Sequence, residues 1–203
     1  MASQRTHMHR IYTRRGDGGR TTTRTRERLG KGDPRVRAYG SLYELNAQVG
    51  LALAAIRAES PETPPAEWGD LVDGLIEIQH RLFYVGRDLS QGRGLPDHDP
   101  PLTQASQVAR LESLIDRLAA NTPPWAPFTL PGGTVPAAHL FVATTVCRRA
   151  ETAVVVLHGE SPVPDAVLAW INRLSDLLFV AGRYVNGILG CEEPRLREPQ
   201  DGF

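Results

Sequence analysis

The chain has 203 residues, 41% of them apolar and 23% charged, and its 23 basic side chains balance 23 acidic ones. That length supports one sizeable core with an attached arm. Two cysteines, Cys147 and Cys191, without a C-x-x-C spacing exclude a disulfide framework or a thiolate metal site, and six histidines without ligand spacing speak against tightly held zinc. No run reaches the roughly 18 apolar residues of a membrane span and no long apolar leader core opens the chain, so cytoplasm is the expected compartment and no membrane partner is expected.

Zero net charge hides an asymmetry. Residues 1–39 carry 11 basic and 3 acidic side chains, leaving 12 and 20 for the remainder. A positive arm on a negative body suits nucleic acid, a polyphosphate or an acidic neighbouring subunit. Nucleic acid is disfavoured, because no aromatic residues interleave the basic run and no groove-reading motif is present. Within the arm, Tyr12-Thr13-Arg14-Arg15-Gly16-Asp17-Gly18-Gly19-Arg20-Thr21 packs glycines, hydroxyls and guanidiniums around one carboxylate. Glycines let successive N–H groups converge on an anion, and Asp17 is suited to orient a hydroxyl or a metal-bound water. A flexible basic arm has the same composition, so both readings stand on local grounds. Lys31 is the only lysine among 22 arginines, and its compact ammonium fits a specific contact as well as it fits codon bias.

Beyond the arm the pattern predicts an all-α bundle of five helices. The first begins at Asp33-Pro34, an N-cap with proline at the first helical position, and turns Ala38, Leu42, Leu45, Val49, Ala52 and Ile56 inward. The second repeats the seam with Leu71, Leu75, Ile78, Leu82, Val85 and Leu89, and the third does so with Val108, Leu111, Ile115 and Leu118. A Pro/Gly-rich connection, residues 122–134, carries Phe128-Thr129-Leu130-Pro131-Gly132-Gly133. It is either a ligand wall or a packing turn, and Phe128 to Leu130 is the best strand candidate in a chain with few. The fourth helix runs from about Val135 to His158, with Thr144, Arg148 and Glu151 on one face and Arg149 about 100° round. The fifth follows Pro164-Asp165 and holds Val167, Ile171, Leu174, Leu178, Ala181, Val185 and Ile188, with Asn172 and Asp176 one turn apart and Arg173 between them. A guanidinium at Arg148 can grip a phosphate bidentately while Glu151 fixes its geometry; intrahelical and interhelical ion pairs use the same residue types. The expected organisation is a basic arm with a nucleotide loop over 1–32, the bundle over 33–190 and a tail over 191–203.

Taken in order, these segments resemble the PduO-type ATP:cob(I)alamin adenosyltransferases. The likeness spans roughly residues 9 to 190: Tyr12-Thr13-Arg14 with Gly16-Asp17-Gly18-Gly19, Lys31 with Asp33-Pro34-Arg35-Val36, Tyr39-Gly40 with Glu44-Leu45-Asn46. It continues through Gln79, Leu82-Phe83, Asp88-Leu89, the Phe128 to Gly133 turn, Cys147-Arg148-Arg149-Ala150-Glu151 and the run from Asn172 to Phe179. The resemblance implies a homotrimer with each site between subunits, binding ATP, magnesium and cobalamin. Cob(I)alamin attacks C5′ of ATP and triphosphate leaves, so no side-chain nucleophile is needed. It assigns Thr13, Arg14, Gly16, Asp17, Gly18, Gly19, Thr21 and Lys31 to an ATP loop, and Arg148, Glu151 and Asn172 to helical ATP positions. Asn172 would lie near magnesium carried by the phosphates, and Phe128 would be the aromatic that displaces the lower cobalt ligand. Arg148 and Phe128 are thus the expected catalytic pair, and a reductase or an adenosylcobalamin-dependent enzyme is an expected partner.

Departures from the family pattern accompany the likeness. Arg15 and Arg20 stand where the family has threonine, and Thr22-Thr23 where it has Gly-Leu. Tyr43 and Thr144 replace an aspartate and an arginine that pair across the subunit boundary in the family. Losing one partner of a buried pair costs about 3–5 kcal/mol, so the double replacement reads as a repaired interface in which the Tyr43 hydroxyl approaches Thr144. These departures leave two alternatives to cobalamin adenosylation: a related site with another acceptor, or a noncatalytic corrinoid- or nucleotide-binding protein.

Overall fold

The computed structural model describes residues 12–90, 100–124, 129–193 and 196. Among them the elements are a hairpin, β1 (Arg20–Thr22) and β2 (Arg28–Gly30), followed by α1 (Pro34–Ala58), α2 (Ala66–Ser90), α3 (Ala105–Ala120), α4 (Val135–Glu160) and α5 (Asp165–Ile188). The expected five-helix bundle is present. α1 packs against α2 on one side and α4 on the other, and α5 packs against α4 and α3, while α3 also meets α2. The heptad-like seams explain this order, since each helix turns one apolar stripe to its neighbours. Every inward residue expected for the first two helices is buried; in the third, Val108 and Ile115 are only partly covered and Leu114 takes a buried place.

Local chemistry sets the helix ends. The Asp33 side chain accepts from Arg35 N at 2.9 Å and Pro34 occupies the first turn. Asp88, buried near the end of α2, accepts from Leu102 N at 3.0 Å, Thr103 N at 2.9 Å and Thr103 Oγ1 at 2.8 Å, tying the α2–α3 connection to the bundle just before α3. Asn46 and Gln79 join α1 to α2: Asn46 Nδ2 donates to Gln79 O at 2.9 Å, and Gln79 Nε2 donates to Asn46 O and Oδ1 at 3.2 and 3.0 Å. Gly50 makes room for this clasp, because a Cβ there would sit 3.0 Å from Gln79 Nε2.

The hairpin is the feature that the sequence pattern missed. Its strands pair antiparallel with Thr21 opposite Leu29, and its turn closes through Thr23 N to Glu27 O at 2.8 Å and Arg26 N to Thr23 O at 3.0 Å. Of the expected strand, Thr129 forms only an isolated β-bridge and Leu130 belongs to no strand element. Phe128, the start of that strand candidate, lies outside the described residues.

Asp88→Ala removes the acceptor of three donors, two of them in a buried environment. It is expected to cost on the order of 2–3 kcal/mol, seen in urea unfolding as a lower midpoint with unchanged slope; an unchanged midpoint would show that water replaces the carboxylate.

Candidate functional site

α4 begins with Pro136 in its first turn and is wedged between α1 and α5. Its inward residues Ala143, Cys147, Ala150 and Val154 are fully buried. That register leaves Arg148 and Arg149 exposed on adjacent faces. Arg149 turns toward α1 and pairs with Glu44, both more than half exposed, an interaction worth about 0–1 kcal/mol. Arg148 turns toward α5 and lines a cleft of about 470 Å³ with Pro123, Asp176, Phe179, Val180 and Arg183. One turn further on, Glu151 Oε1 accepts from Asn172 Nδ2 at 3.1 Å, so two of the helical candidates meet directly across the α4–α5 seam.

Arg173 has a structural task. It donates to Glu112 of α3 at 3.0 Å and to Asp176 at 3.3 Å, bridging α5 to α3. Cys147 lies between Arg148 and Glu151 in the electrostatics of this face. Burial, with Glu151 and Asp176 adding to it and Arg148 opposing, pushes its thiol well above the ordinary range, and Sγ donates to Ile171 O at 3.4 Å. A thiol held protonated this way is no nucleophile.

The N-terminal loop forms a second group. Asp17 N donates to Arg14 O at 3.3 Å, Gly19 N to Gly16 O at 3.1 Å and Lys31 N to Gly19 O at 2.8 Å, so the loop is built of turns that close on β2. Gly19 has φ +71°, a left-handed conformation that favours glycine. The Lys31 ammonium lies over Gly16, where a Cβ would be 3.3 Å from Nζ. The loop and Lys31, far apart in neither sequence nor space, thus form one cationic patch with Thr13, Arg14, Asp17 and Gly18 exposed. Thr21 hydrogen-bonds the Tyr39 hydroxyl, anchoring the hairpin on α1; burial first, then Tyr43, raises that hydroxyl's pKa against the Thr21 bond.

The hairpin that follows this patch and the Arg148 face line different clefts. The hairpin threonines share theirs with Tyr39, Tyr43, Phe83 and Arg87 of α1 and α2, whereas Arg148 faces α3 and α5. Of the departures in this region, the Arg20 guanidinium is taken up within the hairpin, its Nη2 donating to Arg28 O at 2.6 Å, and Arg28 Nη2 in turn donates to the backbone carbonyl of Arg15 at 3.0 Å. The expected approach of Tyr43 to Thr144 is one between subunits; within one chain the two side chains have other partners. Thr144 is buried with Oγ1 donating to Leu140 O at 2.9 Å, and the half-exposed Tyr43 ring packs on Tyr39 and Phe83 with centroids 6.1 and 5.9 Å away. Phe128 lies outside the described residues. Sequence reasoning passed over Arg183 and Asn186, both buried in the last turns of α5; the signal was a charged and an amide residue set beside a continuous apolar seam.

A five-helix bundle with a glycine-rich cationic loop and an Arg/Glu/Asn face on its fourth and fifth helices defines a class that binds a polyanionic ligand by positioning instead of covalent capture. Comparison with known proteins narrows the class. The family model described as cobalamin adenosyltransferase matches residues 11–185, and the chain belongs to that family. It is 40% identical over 179 residues to a cobalamin adenosyltransferase of Cupriavidus metallidurans, covering 88% of this chain and 89% of that protein. It is 40% identical over 181 residues to a corrinoid adenosyltransferase of Bacillus subtilis, covering 89% of each. Among solved structures, a variant PduO-type ATP:corrinoid adenosyltransferase from Lactobacillus reuteri complexed with cobalamin and ATP superposes with TM-score 0.84 at 37% identity, covering 96% of this chain and all of that one.

Thiol titration checks the assignment of Cys147. One thiol per chain, Cys191, is expected to react with a disulfide reagent in the native protein and the second only on unfolding; two fast thiols would place Cys147 at the surface.

Proposed function

We propose that the protein transfers the 5′-deoxyadenosyl group of ATP to a reduced corrinoid and releases triphosphate. The observation that carries this reading is the Glu151–Asn172 hydrogen bond beside Arg148, in a chain of the cobalamin adenosyltransferase family. The substrate's Co(I) supplies the electron pair, a cobalt–carbon bond forms at C5′, and the C5′–O bond breaks with its pair departing on triphosphate. The nucleophile is therefore brought by the substrate, and the chain's work is orientation and charge.

Arg148 is suited to a bidentate grip on a phosphate, and the ammonium of Lys31 adds a compact charge from the loop. Thr13, Arg14, Gly16, Asp17, Gly18, Gly19 and Thr21 wrap the nucleotide with backbone and hydroxyl donors. With its NH₂ engaged by Glu151, Asn172 has a carbonyl oxygen left for a hard cation. Among the described residues no cluster of three or more His, Cys, Asp or Glu is placed to hold a metal. That donor set fits magnesium, which keeps waters and binds through few protein oxygens and substrate phosphates; when bound it neutralises charge on the triphosphate. Phe128 would press on the corrinoid face and displace the lower cobalt ligand.

Because Thr21 of the loop and Arg148 line different clefts of one chain, the full site in this reading takes its loop from a neighbouring copy in a homotrimer. Exposed Val142, Val155 and Val156 on α4 supply apolar surface for such contacts. A one-electron reductant must supply the Co(I) substrate. No helix among the described residues is long and apolar enough to cross a membrane.

Incubation of purified protein with ATP, magnesium and chemically reduced cobalamin is expected to give the light-sensitive spectrum of adenosylcobalamin and one triphosphate per turnover. Nucleotide binding without either product would point to a different acceptor, the reading that the Tyr43 and Thr144 replacements favour. Arg148→Ala is expected to weaken ATP binding about 10- to 100-fold in calorimetry, the worth of a charged hydrogen bond of roughly 1.5–3 kcal/mol, whereas Phe128→Ala leaves ATP affinity intact. Unchanged affinity in Arg148→Ala would remove that residue from the site.

A further inference from the structure

Two opposite charges face one cleft without pairing. Arg148 of α4 and Asp176 of α5 line it together, beside Phe179 and Val180. The antiparallel register of the two helices sets them nearly level. On one side Glu151 meets Asn172, and on the other the Phe141 ring packs where a Cβ on Gly182 would lie 3.0 Å from Cε1. The Cys147 thiol between the helices, raised first by burial, feels both charges, Asp176 adding to the rise and Arg148 opposing it. Charges of opposite sign at this range attract. Yet among the described residues Arg148 makes no ion pair.

Arg173 accounts for this. It stands about 100° round α5 from Asn172, on the side of α3, where its Nε donates to Glu112 Oε1 at 3.0 Å. From there Nη1 donates to Asp176 Oδ2 at 3.3 Å. Asp176 thus stands between two guanidiniums, Arg148 across the cleft and Arg173 one turn back on its own helix, and it meets the second. Ion pairs between side chains as exposed as these are weak, so geometry decides the choice. Arg173 is already tethered by Glu112 and loses little further freedom when it takes Asp176 at i+3.

We propose that Arg173 is a positioning residue for nucleotide binding: it draws Asp176 toward α3, keeps that carboxylate off Arg148 and leaves the Arg148 guanidinium open to a phosphate. This rests on the assignment of Arg148 to ATP made above. Without Arg173, Asp176 becomes an internal competitor, a carboxylate that occupies the fork a phosphate would use and turns its own negative charge toward the triphosphate. The defect left by losing Arg173 is then cured by neutralising Asp176, which does nothing to restore the α3–α5 bridge. A purely structural role for Arg173 has the opposite signature.

The test uses full-length protein carrying Arg173→Gln, Arg173→Lys, Asp176→Asn, Glu112→Gln, the double change Arg173→Gln with Asp176→Asn, and Arg148→Ala with and without Arg173→Gln. ATP affinity in magnesium buffer is read by calorimetry and stability by urea unfolding. Arg173 and both its partners are partly exposed, so these variants are expected to fold. Arg173→Gln is expected to weaken ATP binding roughly three- to fivefold, the scale of an exposed ion pair, and Arg173→Lys, which keeps the cation, to bind nearly as wild type. The double variant should match Asp176→Asn alone. Glu112→Gln cuts the same bridge but leaves Arg173 beside Asp176, and should keep wild-type affinity wherever its unfolding midpoint falls. With Arg148→Ala in place, Arg173→Gln should have no further effect. Unchanged affinity in Arg173→Gln, a loss that persists once Asp176 is neutralised, or an equal loss in Glu112→Gln would overturn the proposal. Wild-type affinity in Arg148→Ala would overturn the assignment of Arg148 itself, and the shielding role with it.

Discussion

The rotational setting of α4 between α1 and α5 governs the rest of the molecule. Cys147, Ala150 and Val154 are fully buried, and in a helix with 100° between residues this leaves little freedom for what lies between them. Arg148 must then face the α5 side and Arg149 the α1 side, as the cleft lining and the Glu44 pair show. A slip of one residue would drive a guanidinium into the seam, where desolvation costs several kcal/mol. Packing thus fixes the direction of the Arg148 guanidinium before any ligand arrives.

The contrast between the two charged regions follows from how each is held. Arg148, Glu151 and Asn172 sit on long helices backed by a dry core, and Glu151 and Asn172 restrain one another across the seam. The loop carrying Asp17 is held by turns, by a three-residue-stranded hairpin and by the Thr21–Tyr39 contact. Few buried apolar groups support it, which puts it at the low-stability end of the structure. The helical face is therefore rigid, and the cationic loop is lightly held.

Much of this was legible in the sequence. Heptad-like spacing and the Asp33-Pro34 and Pro164-Asp165 starts located the helices to within a few residues, because burial of one stripe is what makes those helices form. The Arg148, Glu151 and Asn172 group was legible as a set of positions, and the contact between Glu151 and Asn172 agrees with it. The hairpin was not legible. Arg20–Thr22 and Arg28–Gly30 show no alternation of apolar and polar residues, and backbone pairing with Arg28 and Arg20 side chains on carbonyls shapes them instead. Asp88 and Asn186 were also opaque as structural residues. Their partners lie 14 or more residues away, at Leu102, Thr103, Gly132 and Thr134, so neither role has a local signature.

Tyr43 and Thr144 are each satisfied within their own chain. Thr144 satisfies its hydroxyl on its own helix and is buried in its own chain. A buried arginine would demand a partner at that position; threonine demands none. Tyr43 joins Tyr39 and Phe83 in an aromatic group whose ring centroids are 5.9–6.1 Å apart, a range in which edge-to-face and tilted pairs add about 0.5–1.5 kcal/mol beyond area burial. An aspartate there would instead place a carboxylate among aromatic faces, whose quadrupoles repel negative charge. Neither residue therefore calls for a charged partner, and the surface around Tyr43 favours apolar or cationic contact on the hairpin side of α1.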